Sequence, residues 1–347
     1  MLLVLTNGRD ATADYLISTL AHSHVPLLRI DTDTILNTAT FSYRSGEPIF
    51  RCGGQRYAPS DFSNVWYRRP ERLKSLKFDD SPEGRYALDE CTEAFEGILA
   101  HIPPSKWMNH PAANAHASHK IEQLTTARTL GFRVPDTIVT QDGAALRRFL
   151  EEHHGRIIVK PMAGGLIERG TNETDSLIYT NPLRPKDLAD LADLASCPTL
   201  FQEYVDKQCD IRITVVDARV HAVELRADDM DGRQRCDIRR NNMQDVAYRE
   251  LVPPGDVTEP IQRLMNHYNL RFAAIDMAVA TSGDWYFLEV NPNGQWAWLD
   301  LSCAVNIAAS FVEAFGSESS PSHDNEREEP AHEQDRPPAG TDLSVSL

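Results

Sequence analysis

Between Phe272 and Trp296 the chain reads FAAIDMAVATSGDWYFLEVNPNGQW, two apolar strand-like runs that each carry one acid where a buried strand should hold none. Ser282-Gly283-Asp284 between them is a turn signal, so the runs fold back as a hairpin. With Thr281–Asp284 as the loop, Ala280 faces Trp285 and Asp276 falls directly opposite Glu289. Strand side chains alternate with a period of two, so Asn291 projects from the face that carries Glu289. Pro292 favours an extended Asn291, which supports that geometry. Two carboxylates opposed on one sheet face repel, and burying them without a cation is costly. Oxygen donors on a rigid strand pair suit Mg2+, which takes a few protein oxygens and fills its shell with water and phosphate. The competing reading is an edge hairpin whose acids point to solvent.

Candidate cations precede the hairpin. Lys160 ends the apolar run Ile157-Ile158-Val159 and is followed by Pro161-Met162-Ala163-Gly164-Gly165. A lysine at a strand end can offer its ammonium to phosphate while a small-residue loop closes over the site. Lys120 is unremarkable alone. The strand TLFQEY, Thr199–Tyr204, ends in polar groups, and backbone near Gln202, Glu203, Tyr204 and Val205 could read an adenine edge. Asp210 and Arg212 share one face of the next strand, with Ile211 on the other. Arg226 ends a further strand, and Arg239-Arg240-Asn241 follows a linker. The guanidinium fork suits carboxylate and phosphate oxyanions, although a surface Asp210–Arg212 ion pair explains the first pair equally well.

The first hundred residues alternate strand and helix signals, as in a small α/β lobe: strands Leu2–Leu5, Pro26–Ile30 and Asn64–Tyr67, with helices Thr12–Ala21 and Arg85–His101. The opening MLLVLTNGRD lacks a basic n-region and reads as a first strand rather than a signal peptide. A second segment, Trp107–Ser196, carries helices at His119–Leu130, Ala144–His153 and Pro185–Leu194. The third, Thr199–Phe315, is rich in strands and closes on a helix at Cys303–Phe315. Residues 317–347 hold eight acids against two arginines, so −6 of the net charge of −16 belongs to a polar tail expected to be disordered. An acidic body argues against a nucleic-acid surface. No apolar run approaches membrane-span length. Six scattered cysteines without CxxC spacing point to buried thiols in a reducing cytoplasm. His116 and His119 stand at i, i+3 but lack a third ligand with zinc-site spacing, so they read as structural or surface residues.

The order Lys120, Lys160, TLFQEY, DIR, a further arginine, RRN and D…ExNPNG resembles the ATP-grasp superfamily over Asn109–Phe315. Within it the chain looks closest to the graspetide (microviridin-type) peptide maturases, on VWYRRP (Val65–Pro70), KIEQLTTARTLGFRVPDT (Lys120–Thr137) and EVNPNGQWAW (Glu289–Trp298). The resemblance implies an α/β chain of α+β subdomains: a pre-ATP-grasp lobe (1–105), a central lobe with a lid (106–198), a catalytic lobe (199–315) and the acidic tail (316–347). It implies ATP and Mg2+ as cofactors, with Lys120 and Lys160 on nucleotide phosphate, Glu203 and Val205 at the adenine hinge, and Asp210 near the ribose or the basic cluster. Asp276, Glu289 and Asn291 would hold Mg2+. Arg212, with Arg240 and Asn241, would steady transferring oxyanions, and Arg226 would bind the substrate carboxylate. Tyr67, Arg68 and Arg69 match the first-lobe motif without a physical role. The implied partner is a precursor peptide whose leader helix docks on the central lobe, at Pro185–Leu194 or the Arg226–Arg235 hairpin. A homodimer stays open.

The expected reaction is phosphorylation of an Asp or Glu carboxylate, followed by attack of a hydroxyl or amine within the same peptide. Two alternatives stand beside it: a glutamate or amino-acid ligase acting on a protein terminus or small molecule, and a nucleotide-binding regulator without catalysis.

Overall fold

The computed structural model describes residues 1–316 except 75–76, 168, 170–173, 189–190, 228–234 and 241–242. The expected acidic tail therefore lies outside the described residues, apart from Gly316.

LLVLT forms β1 (Leu2–Thr6), buried along its whole length as the centre of a parallel sheet requires. Asp10 caps α1 (Ala11–His22) by accepting from the Thr12 and Ala13 amides. β2 (Leu27–Asp31) then pairs parallel with β1. A three-stranded meander follows, β3 (Thr40–Arg44), β4 (Glu47–Cys52) and β5 (Gln55–Tyr57). β6 (Asn64–Tyr67), α2 (Pro82–Leu99) and β7 (Trp107–Met108) complete this part, giving the sheet order β2-β1-β6-β7.

Two short helices come next, α3 (Pro111–Ala117) and α4 (Lys120–Thr129). β8 (Thr137–Thr140), α5 (Gly143–Glu152), β9 (Ile157–Lys160), the small pair β10 (Leu166–Ile167) and β11 (Ser176–Leu177), β12 (Asn181–Pro182) and β13 (Thr199–Glu203) follow. β12-β9-β13-β8 form an antiparallel sheet that buries Ile157 and Phe201 against Leu146 and Phe149 of α5. The helix expected at Pro185–Leu194 is a correction: the chain makes two 3-10 turns, Pro185–Leu188 and Ala192–Ser196. The Asp187 carboxylate accepts from the Arg184 amide at 2.8 Å, a local turn that competes with a continuing helix.

The third part is an antiparallel sheet of order β16-β15-β14-β17-β18, built from β14 (Lys207–Val216), β15 (Arg219–Arg226), β16 (Ala247–Leu251), β17 (Phe272–Ala280) and β18 (Trp285–Asn291). α6 (Gly255–Tyr268) precedes β17, and α7 (Ala297–Cys303) and α8 (Ile307–Gly316) follow β18. Ile211, Ile213, Val215, Ala273, Ile275 and Met277 point to one face, where Leu124 of α4 and Ile261, Leu264 and Met265 of α6 cover them. Val216, Val223, Leu225 and Phe272 join the other core, with Phe311 of α8 and Leu2, Leu16 and Trp66 of the first part. The helix expected over Cys303–Phe315 is broken, because Ala304 takes a left-handed conformation (φ 54°). Asp300 then caps α8 through the Ile307 and Ala308 amides at 2.6 and 2.8 Å.

Candidate active site

The hairpin pairs Asp276 with Glu289, but not by the expected count. Val279, not Ala280, stands opposite Trp285, and the offset disappears between Asp276 and Met277, where Leu288 is the extra residue on β18. A turn shifted by one residue and a bulge of one residue cancel. On the other side Asp276 faces Arg212 of β14. Arg212, Asp276 and Glu289 thus stand in one row across three strands, on the sheet face that α4 and α6 leave uncovered.

Charges of opposite sign close the row at both ends. Arg212 Nη1 donates to Asp276 Oδ1 at 2.7 Å, and Lys120 Nζ lies 2.7 Å from Glu289 Oε2. Between the acids, Asn291 Nδ2 donates to Asp276 Oδ2 at 3.1 Å and to Glu289 Oε1 at 3.0 Å. Burial raises the Asp276 pKa, with Glu289 adding to the rise and Arg212 opposing it. Burial also works against ionised Glu289, yet the Lys120 ammonium, the Asn291 hydrogen bond and the Lys160 charge together outweigh it and hold that carboxyl at about 2. The donor set fits a hard divalent cation: two converging carboxylates, and an amide that can offer oxygen where its nitrogen now bridges them.

Helix α4 positions Lys120 through a neighbour one turn on. Gln123 donates to the Val290 carbonyl at 2.9 Å and accepts from the Val290 amide at 3.2 Å, fixing the helix against the strand that carries Glu289. Lys160, at the end of β9, lines the same cavity of about 1470 Å3. Burial brings its ammonium down to about 8 against the attraction of Glu289. Lys207 also lines the cavity, 2.6 Å from Asp210 Oδ1. Among the described residues Asp210 Oδ2 has no hydrogen-bond partner, and burial raises the pKa of this acid.

The segment after Asn291 is clamped from three sides. Arg212 Nη2 donates to the Gln295 carbonyl at 2.8 Å. Arg68, only 1% exposed, donates to the Asn293 and Gly294 carbonyls and to Gln295 Oε1, while its Nε stands 3.2 Å from Asp10. Asn109 donates to the carbonyls of Phe272 and Pro292 at 2.8 and 3.1 Å. A Cβ at Gly294 would stand 2.3 Å from the Ala274 Cβ, so only glycine lets this segment lie on the sheet face. Arg68 thereby acquires a physical role, and Arg69 lines the cavity.

Of the residues singled out in the sequence, Lys120, Lys160, Asp210, Arg212, Asp276, Glu289 and Asn291 come together around this cavity. Arg226 does not. It follows Leu225, which shares the face of Asp210, so the two-residue period sends it to the opposite face, where it pairs with Glu224 at 3.2 Å. Arg240 reaches Asn181 at 2.7 Å and lies over the Tyr179 ring; Arg239, its neighbour, lines the cavity. Asn241 and most of the Arg226–Arg235 hairpin lie outside the described residues. Gln202, Glu203, Tyr204 and Val205 are not among the described residues lining the cavity, and the Glu203 and Tyr204 amides donate to the Asp136 and Arg156 carbonyls. Lys207, Gln123 and Asn109 join the site without having been singled out in the sequence. Lys207, three residues before Asp210, carries a visible ion-pair signal; the two amides depend on partners far along the chain.

No family model matches the chain, and no curated protein does. Solved structures do. Macrocyclase MdnC of Microcystis aeruginosa MRC, crystallised with precursor peptide MdnA, is 26% identical with a TM-score of 0.77, over 91% of this chain and 99% of that one. A RiPP-associated ATP-grasp ligase of Chryseobacterium gregarium, solved with ADP and a leader and core peptide, is 25% identical with a TM-score of 0.81, over 91% of this chain and 96% of that one. The chain belongs to the ATP-grasp superfamily. Its α+β sheets are those of the ATP-grasp ligase fold. ATP-grasp ligase PsnB, solved with a minimal precursor, Mg and ADP, shares that fold at 22% identity with a TM-score of 0.71, over 92% of this chain and 97% of that one. Among the described residues of this ATP-grasp chain, no helix is long and apolar enough to cross a membrane.

Proposed function

We propose that this ATP-grasp chain is a ligase of the graspetide type. It activates Asp or Glu side chains of a ribosomally made precursor peptide as acyl phosphates and closes them into intramolecular esters or amides. The observation that carries the reading is the half-buried row Arg212–Asp276–Glu289–Lys120 beside Lys160, in a chain that matches MdnC and the Chryseobacterium ligase over nearly their whole length.

Lys120 and Lys160 hold phosphate oxygens of ATP, and Asp210 lies toward the ribose. The adenine is assigned to the Gln202–Val205 segment, through Val205 and the carbonyl oxygens of that segment. Asp276, Glu289 and Asn291 hold Mg2+, which when bound neutralises charge on the transferring phosphoryl group. A substrate carboxylate oxygen attacks the γ-phosphorus, the bond to the bridging oxygen breaks, and ADP leaves. A hydroxyl or amine of the same peptide then attacks the acyl carbon and loses its proton, and inorganic phosphate departs. Arg212 steadies the oxyanion, and Arg239 replaces Arg240 as the second guanidinium because it lines the cavity. The peptide's leader docks as a helix outside this cavity. We place the reaction in the cytoplasm, where ATP is plentiful and six free thiols persist.

The test is to search the neighbouring reading frames for a short peptide that carries Ser, Thr or Lys together with Asp or Glu, and to incubate it with ATP, Mg2+ and this chain. Mass spectrometry should show the peptide losing one water per bond formed. A gain in mass, as from addition of an amino acid, would replace this reading with that of a terminus or small-molecule ligase.

A further inference from the structure

Three helices bring together a second cluster that the ligase chemistry does not use. His116 near the end of α3, Glu122 in the first turn of α4 and His267 in the last turn of α6 present ligand atoms that all lie within 4.8 Å of one another. Glu122 Oε1 stands 4.0 Å from His116 Nε2 and 3.8 Å from His267 Nε2. Two imidazole nitrogens and one carboxylate oxygen form a donor set of borderline softness, suited to zinc and its neighbours in the first transition row and poorly suited to Mg2+.

The groups behind the ligands are in place as well. Thr126 Oγ1 donates to Glu122 Oε1 at 2.6 Å, and the Tyr268 hydroxyl donates to Oε2, so the carboxylate is held in one orientation. Tyr268 also meets both imidazoles edge-on, with centroids 5.1 Å from His116 and 4.8 Å from His267. Adjacent ligand atoms of a four-coordinate zinc stand about 3.3 Å apart, given bonds of about 2.0–2.1 Å. Contraction of at most about 1.5 Å reaches that spacing. The imidazoles are 54% and 41% exposed, so their rings have room to move and water can take the fourth position.

We propose that His116, Glu122 and His267 form a binding site for a divalent transition-metal ion, zinc by its chemistry, which ties α3, α4 and α6 together. α4 carries Lys120 and Gln123, so the ion braces the helix that faces Glu289.

Metal-stripped full-length chain is titrated with Co2+ and then with Zn2+, in excess Mg2+ so that the Asp276–Glu289 pair is occupied. One equivalent of Co2+ should bind with visible d–d bands and no intense thiolate absorption, and Zn2+ should displace it. His116→Ala and His267→Ala should each weaken binding by at least about 10–100-fold, and Glu289→Gln should leave it unchanged. Zinc should raise the melting temperature of the unaltered chain and of neither histidine variant. His267→Gln, with circular dichroism as a folding check, guards against a misfolded alanine variant. Absence of stoichiometric binding, undiminished binding by both folded histidine variants, or a thiolate spectrum would each overturn the site.

Discussion

Asp276 and Glu289 are the residues whose chemistry the sequence exposes most clearly, because acids inside apolar strands need a reason. The row supplies one, and it also defines what substitutions should do. Glu289→Gln removes an oxygen ligand and the partner of Lys120, and Arg212→Ala frees Asp276 from its only guanidinium partner in the row. Each should cost about 2.7–4 kcal/mol in the barrier, a fall of roughly 10^2–10^3 in peptide-dependent ADP release. Wild-type rates for either would remove that residue from the mechanism. Lys160 gives a pH test. Its ammonium loses its proton near 8 in the free protein, and phosphate binding requires the charged form. Affinity for a non-hydrolysable ATP analogue with Mg2+ should be flat below that pH and weaken above it, by up to about tenfold per unit. Calorimetry across pH 7–10 reads this slope, and Lys160→Met should abolish it. For folding the sign is opposite: burial of the ammonium opposes folding below about 8, and that penalty eases as pH rises toward 10.5. The acids were legible from type and spacing and Lys160 from its place at a strand end, whereas Lys120, unremarkable alone, stood out only through the family order. Gln123 and Asn109 were not legible, since a lone amide has no local signature and theirs meet backbone 167 and 163 residues away.

At the scale of elements, alternation decided what could be read. β14 and β17 place apolar odd-numbered residues on the helix-covered core, leaving Asp210, Arg212 and Asp276 on the other face. The same period removes Arg226 from the site. The hairpin register was legible at its centre but not at its turn, because the Leu288 bulge hides a one-residue error. α6 has no clear mark in the sequence although Val257, Ile261, Leu264 and Met265 are spaced for a helix, since Pro254 stands at its cap and Pro260, a residue that usually breaks helices, lies within it. The segment after Asn291 yields two further tests. Gly294→Ala forces a Cβ against Ala274 and should destabilise the chain by about 1–3 kcal/mol while depressing turnover more than the loss of folded protein explains. Arg68→Met leaves Asp10 buried without its partner and should cost about 3–5 kcal/mol in urea unfolding, with Asp10→Asn in the same chain recovering part of it. An Arg68→Met loss below about 1 kcal/mol would contradict the clamp.

For the whole molecule, the succession of patterned segments was readable: alternating strands and helices first, a mixed middle, then a long run of strands. How they meet was not, because cores that join Leu2 and Trp66 to Phe311, or Leu124 to Ile275, depend on contacts between distant segments. The arrangement sets charged side chains of both signs around one cavity, where a substrate carboxylate is to be activated. The direct measurement is to label the Asp and Glu carboxylates of the precursor peptide with heavy oxygen and follow the label during turnover. Passage through an acyl phosphate predicts one heavy oxygen in the inorganic phosphate for every bond closed. Closed peptide and ADP with unlabelled phosphate would contradict it.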